Sequence, residues 1–127
     1  ILCVGETEEE RKEGQTEERI GSEIRTALFA LSKEETAKMV IAYEPIWAIG
    51  SGQAATPKDA EEIASFIRKT VKEAAGKKAA DEVRILYGGS VNGDNISYFL
   101  KQKNIDGALI GGASLKPDTM IDIYNKA

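Results

Sequence analysis

The residues best suited to chemistry stand where apolar runs stop. Glu44 follows the run Met39–Tyr43 and precedes Pro45, so its carboxylate closes a strand. Tyr43, Pro45, Ile46 and Trp47 beside it would partly desolvate it and fit it for general-base work; the plainer reading is a solvated acid at a strand end. Glu6 closes the run Ile1–Val4 in the same way. Two glycine pairs, Gly88-Gly89 and Gly111-Gly112, follow two further apolar runs. Lacking side chains, they let backbone N–H groups approach an anion closely, and the turn after the second pair can add the positive end of a short helix. Glycine pairs also serve tight turns that hold no ligand. A phosphate gripped by N–H groups needs no basic patch. The connection from Pro45 to Ala55 is longer than the roughly two to six residues usual inside an α/β unit. Its Trp47, Ile49, Gly50 and Gly52 suit either a hinged lid or a surface loop that covers the helix layer.

What the chain lacks narrows the chemistry further. It has no histidine and one cysteine, Cys3, which excludes an imidazole base, an internal disulfide and a cysteine zinc cluster within these residues. Cys3 falls inside a strand with no base to activate it and reads as core. The acidic and basic run Glu8 to Glu13 reads as a solvated helix face. Seventeen Lys and Arg against 21 Asp and Glu leave a formal charge of -4, so no broad basic surface for nucleic acid is expected. An apolar content of 42% supports a buried core, and no window approaches the roughly 20 consecutive apolar residues of a bilayer span. A soluble protein with neither nucleic-acid nor membrane partners is expected. The opening Ile-Leu-Cys-Val-Gly reads as a strand already under way, which suggests that something is missing upstream.

These residues need elements to hold them. A strand over Ile1–Val4 is followed by a helical pattern from Glu8 to Leu31, with Ile20, Ile24, Leu28 and Leu31 on one face. Met39–Tyr43 is the second strand. Thr56-Pro57-Lys58-Asp59 is a strong helix start, with Thr56 as cap and Asp59 placed to complete a capping box. Ala60, Ile63, Ala64, Ile67, Val71 and Ala74 then trace an apolar stripe that ends at Gly76. Val83–Tyr87 and Gly107–Ile110 are the remaining strands, each followed by a glycine turn and a helix, the first bearing Ile96, Phe99 and Leu100, the last opened by Pro117 and bearing Met120, Ile121 and Tyr124. Four strand-helix units with nearly continuous apolar strands argue for an α/β fold with a parallel sheet, and residues 1–127 read as one domain. Each unit takes about 32 residues, and eight such units would approach the ~250 typical of a (β/α)8 barrel, so half a barrel is expected. An open doubly wound sheet is the alternative, although no Gly-x-Gly-x-x-Gly turn follows the first strand.

The segment Ala42-Tyr43-Glu44-Pro45-Ile46-Trp47-Ala48-Ile49-Gly50-Ser51-Gly52 resembles the catalytic strand and lid of the triosephosphate isomerase family. Cys3-Val4-Gly5-Glu6, Tyr87-Gly88-Gly89-Ser90-Val91 and Gly107 to Leu115 are similar to the fifth, seventh and eighth strand ends of that family, so the resemblance covers all 127 residues with the second half of the family pattern. It implies that Glu44 shuttles a proton between carbons 1 and 2 of dihydroxyacetone phosphate and glyceraldehyde 3-phosphate, a step of glycolysis and gluconeogenesis in the cytoplasm. It implies that the N–H groups of Gly50, Ser90 and Gly112 hold the phosphate, with Gly111 shaping the same turn. Pro45, Ile46 and Trp47 at one end and Gln53, Ala54 and Ala55 at the other would hinge the lid, and Tyr87 and Ser90 would latch it. No metal or organic cofactor is implied. The family's asparagine and lysine at the first strand end and its histidine at the fourth have no counterpart here, so the chain alone is expected to be nearly inert. Its two edge strands invite a second copy or a complementary N-terminal half-barrel. The other readings are a non-catalytic half-barrel assembly module, natural or engineered, and a different phosphate-binding barrel enzyme.

Overall fold

Short runs of β-branched and aromatic residues, separated by helices that return the chain to the same edge, can pair only as parallel neighbours. The computed structural model describes residues 1–51 and 53–127 and shows that arrangement. Strands β1 (Leu2–Val4), β2 (Val40–Tyr43), β3 (Arg84–Tyr87) and β4 (Gly107–Ala108) lie side by side in the order β1-β2-β3-β4, all parallel. The fold is α/β, four parallel strands alternating with helices, consistent with the (β/α)8 barrel class.

Register divides the sheet into two unlike faces. Val4, Tyr43, Tyr87 and Ala108 form one row, with Ile41 and Ile85 in a row on the same side. These side chains join a buried cluster with Ile20 and Ile24 of α2 (Thr16–Leu28), Ile63 and Ile67 of α4 (Pro57–Ala75), and Phe99 of α6 (Ile96–Leu100). Burying each of Ile41 and Ile85 completely contributes about 1.5–3 kcal/mol. The other face carries Cys3, Ala42, Leu86 and Gly107 in register. Cys3 is exposed, contrary to the expectation of a core thiol, because β1 is an edge strand and Ala42, its one neighbour in register, is too small to cover it.

The helices depart from the sequence pattern in instructive ways. The single helix expected over 8–31 is two, α1 (Glu8–Lys12) and α2, divided where Gly14 takes a φ of 74°, a conformation that suits glycine and ends a helix. Leu31 lies beyond the end of α2 and is partly exposed, not on its buried face. A short helix α3 (Lys33–Ala37) was not anticipated, although Ser32 and Glu35 make a full capping box before it. A further turn of helix, α5 (Lys77–Glu82), follows the stop at Gly76, whose φ is 92°. In α4 the stripe ends on Ala75, and Ala74 faces solvent. Thr56 caps α4 by accepting the Asp59 N–H at 3.1 Å, but the Asp59 carboxylate does not complete the box; it pairs with Arg11. In α7 (Pro117–Lys126) the buried residue is Ile123, while Met120, Ile121 and Tyr124 are exposed. Among the described α-helices, α7 packs chiefly against α6. No helix among the described residues is long and apolar enough to cross a membrane.

One polar knot fastens the layer beneath the sheet. Arg68 of α4 donates to the carbonyls of Ala80 and Val83, to Asn104 through its Oδ1 and its carbonyl, and to Asp106 Oδ2 at 2.9 Å. Asp106 Oδ2 also accepts the Ile85 N–H at 2.7 Å, while Glu61 clamps Asn104. A single guanidinium thus ties α4 to α5, to the start of β3 and to the segment that leads into β4.

Candidate active site

Three strand ends converge on one rim. The Glu44 N–H donates to Val4 O and the Gly88 N–H to Tyr43 O, each at 2.8 Å, so the sheet pairing runs on past the strands and sets Glu44 between the ends of β1 and β3. Its side chain leaves the sheet on the face that carries Cys3. The backbone of Gly88 comes so close that a Cβ there would lie 2.6 Å from Glu44 Cγ and 3.2 Å from its Oε1. Gly88 is therefore a spacing requirement for the carboxylate. Gly88→Ala should displace the Glu44 carboxylate while the melting midpoint moves by only a few degrees; the two are read by a crystal structure of the variant and by circular dichroism. An undisplaced Glu44 side chain with alanine there would show that the carboxylate has room to spare.

A cavity of about 420 Å³ opens at this rim and is lined by Glu44, Gly50, Ser90, Gly111 and Gly112 among others, a size usual for a small-molecule site. The structure thus brings together the acid and all four glycine and serine positions expected to grip phosphate. Gly50 has a φ of 66°, which only glycine adopts without strain. A Cβ on Gly50, Gly111 or Gly112 would meet nothing within 4 Å, so these backbones face open space. After Gly111 the chain makes a 3-10 turn over Gly112–Leu115, in which the Ser114 hydroxyl and N–H both donate to Gly111 O.

The connection after Glu44 behaves differently from its sequence neighbours. Pro45 is buried, Ile46 is half exposed, and Ile46–Ala48 forms a 3-10 turn. Tyr43 and Trp47, expected to shield Glu44, instead turn toward Glu6 on the far side of the backbone. Glu6 is fully buried, and its Oε1 accepts from Tyr43 Oη at 3.0 Å, Trp47 Nε1 at 3.1 Å and Arg11 Nη1 at 3.3 Å. Glu44 is partly buried, and the backbone of Gly88 closes against its side chain. Desolvation and this carboxylate hold the Cys3 thiol above its ordinary range, which suits a spectator and not a nucleophile. At the far end of the loop the Ala55 N–H donates to Tyr87 Oη at 3.0 Å, Gln53 N–H meets Ser51 Oγ at 3.2 Å, and Ala54 is exposed. Gly52 lies outside the described residues. Pro45, Ile46, Trp47, Gln53, Ala54, Ala55 and Tyr87 do not line the cavity with Glu44; the first six stand at the two ends of the connection and Tyr87 closes β3. Sequence reasoning missed Arg11, which it placed on a solvated face; only its spacing of five residues from Glu6 could have hinted at the pair.

Tyr43 keeps its proton well above the ordinary tyrosine range and Tyr87 is raised in the same direction, in both cases chiefly because burial disfavours the phenolate; the Glu6 carboxylate adds to this for Tyr43, and the Ala55 N–H partly offsets it for Tyr87. The unfolded chain releases those protons near pH 10, so above that pH it binds fewer protons than the folded chain and stability falls as pH rises. Rapid pH-jump absorbance should show two of the four tyrosines ionising only as the chain unfolds; ionisation of all four in the native state would contradict this.

The family model for triosephosphate isomerase matches residues 1–127. Curated relatives named triosephosphate isomerase include those of Dictyoglomus turgidum, 53% identical over 123 residues, and of Caldanaerobacter subterraneus, 51% identical over 125 residues. The Protochlamydia amoebophila protein of the same name is 50% identical over 125 residues. These alignments cover 97–98% of this chain and 49%, 50% and 47% of the respective relatives, so the chain spans about half the length of the curated relatives it matches. A match along its whole length, and identity near one residue in two, place this chain in the triosephosphate isomerase family.

Proposed function

We propose that this chain is the C-terminal half of a (β/α)8 barrel, one domain over residues 1–127, and that it supplies the base, the phosphate grip and the lid of a triosephosphate isomerase acting in glycolysis and gluconeogenesis. The observation that carries this reading is the cavity shared by Glu44, Gly50, Ser90, Gly111 and Gly112 at one rim of the sheet. A carboxylate there can take a proton from a carbon acid whose phosphate is pinned by backbone N–H groups a few ångströms away. Glu44 removes the proton from carbon 1 of dihydroxyacetone phosphate and returns it to carbon 2, so the base ends as it began. Gly50, Ser90 and Gly112 hold the dianion, with Gly111 setting the turn. Pro45, Ile46 and Trp47, with Gln53, Ala54 and Ala55, hinge the loop above, and the Tyr87 hydroxyl, which meets Ala55, latches it with Ser90. The negative charge that develops on the substrate oxygens needs donors that these residues do not offer, since the sequence has no histidine; a complementary half must bring them.

A second reading has its own observation. Among the described residues β1 and β4 each have a free edge, and Cys3 and Leu86 lie on a face left partly open, so association with a second copy or a complementary half is the first property expected of the chain. A coupled isomerase assay on the chain alone, and after mixing with the missing half of a relative, separates the readings. Turnover only after mixing supports the isomerase; none in either case leaves an assembly module.

A further inference from the structure

Arg11 reaches three groups from three segments. Its Nη1 lies 3.3 Å from Glu6 Oε1 at the end of β1, and its Nη2 lies 3.4 Å from Asp59 Oδ2 in the first turn of α4. Its Cζ sits 4.8 Å from the centre of the Trp47 ring. Trp47 is also held at its edge, where Nε1–H donates to the same Glu6 oxygen. Glu6 is fully buried with Oε2 making no hydrogen bond, and Arg11 is the one cation paired with it among the described residues.

We propose that Arg11 is a positioning residue for Trp47: its flat guanidinium seats the indole while its two Nη groups bridge the carboxylates on either side of the connection that begins at Glu44. Three properties of arginine are used at once, namely planarity for the ring face, a fork for two separated carboxylates, and a charge that is not lost. A lysine offers only the charge. Removing the guanidinium frees the indole face and strips a buried carboxylate of its counter-ion, which is costly because the partner stays buried. The role of this seat in lid motion rests on the function proposed above; the seat itself follows from contacts made without any ligand.

Trp47 is the only tryptophan, so fluorescence excited at the red edge of its absorption reports on the seat in the chain as it stands. Relative to wild type, Arg11→Met should raise acrylamide quenching of Trp47 about threefold, and Arg11→Lys should recover less than about half of the lost protection while restoring most of the lost thermal stability. Asp59→Asn, which spares the charge on Glu6, should raise quenching by a smaller amount in the same direction. Unchanged quenching in a natively folded Arg11→Met chain overturns the proposal, as does full recovery by lysine. If Arg11→Met does not fold, unchanged quenching in Asp59→Asn overturns it. None of these readouts uses substrate. A chain that fails to give activity when complemented leaves the seat standing, and a normal isomerase with unaltered quenching removes Arg11 alone.

Discussion

Glu44→Gln should lower kcat of the complemented enzyme by about 100- to 10,000-fold, the range a positioned general base contributes, with KM moving less than about twofold. Glutamine keeps the length of the side chain and its close approach to Gly88, so the cavity and the proposed phosphate grip survive. Only the basic oxygen is lost. The measurement is a coupled assay on wild-type and variant chains, each mixed with the missing half of a relative such as the Dictyoglomus turgidum protein. The uncomplemented wild-type chain belongs in the same experiment. Lacking the donors that share the developing oxyanion charge, it should run at least roughly 100-fold below the mixture. A Glu44→Gln mixture that matches wild type would put the base elsewhere and remove the foundation of the proposed function.

The second large effect concerns folding. Arg68→Met should cost the chain about 3 kcal/mol, because the carbonyls of Ala80, Val83 and Asn104 and the Asp106 carboxylate all lose a charged donor that methionine cannot replace. A domain of this size holds only about 5–15 kcal/mol in total, so the variant should unfold at markedly lower urea concentration. Asp106→Asn should be milder, about 1 kcal/mol, since the amide oxygen can still accept from Ile85 N–H. If Arg68→Met unfolds within about 0.5 kcal/mol of wild type, the knot is decoration and the layer is held by apolar packing alone.

Much of this was legible in the sequence, for physical reasons that differ between residues. The strands were readable because parallel strands facing helices need apolar runs, and Met39–Tyr43 and Val83–Tyr87 each end on a residue that stops a run. The α4 start was readable from Thr56-Pro57, whose chemistry is local. What failed was partner choice across distance. Asp59 had two uses, a reciprocal cap or an ion pair, and Arg11, 48 positions away by the numbering, decided it. Trp47 stands near Glu44 in sequence yet turns to Glu6, because a buried carboxylate attracts any N–H within reach. Cys3 was misread because strand alternation tells which side a residue takes, not whether anything covers that side. Glu44, Gly50, Ser90, Gly111 and Gly112 line one cavity because glycines that must let a backbone approach leave the same mark in sequence as in space, as Gly88 shows against Glu44.

The strand order in space repeats the strand order along the chain, and this carries an evolutionary implication. Every unit touches mainly the unit before it and the unit after it, so a gene encoding such a piece can be duplicated, fused or cut between units without rethreading what is already folded. Growth by accretion at either rim costs one new seam at a time, which makes a sequential sheet of this kind a workable ancestor as well as a workable remnant.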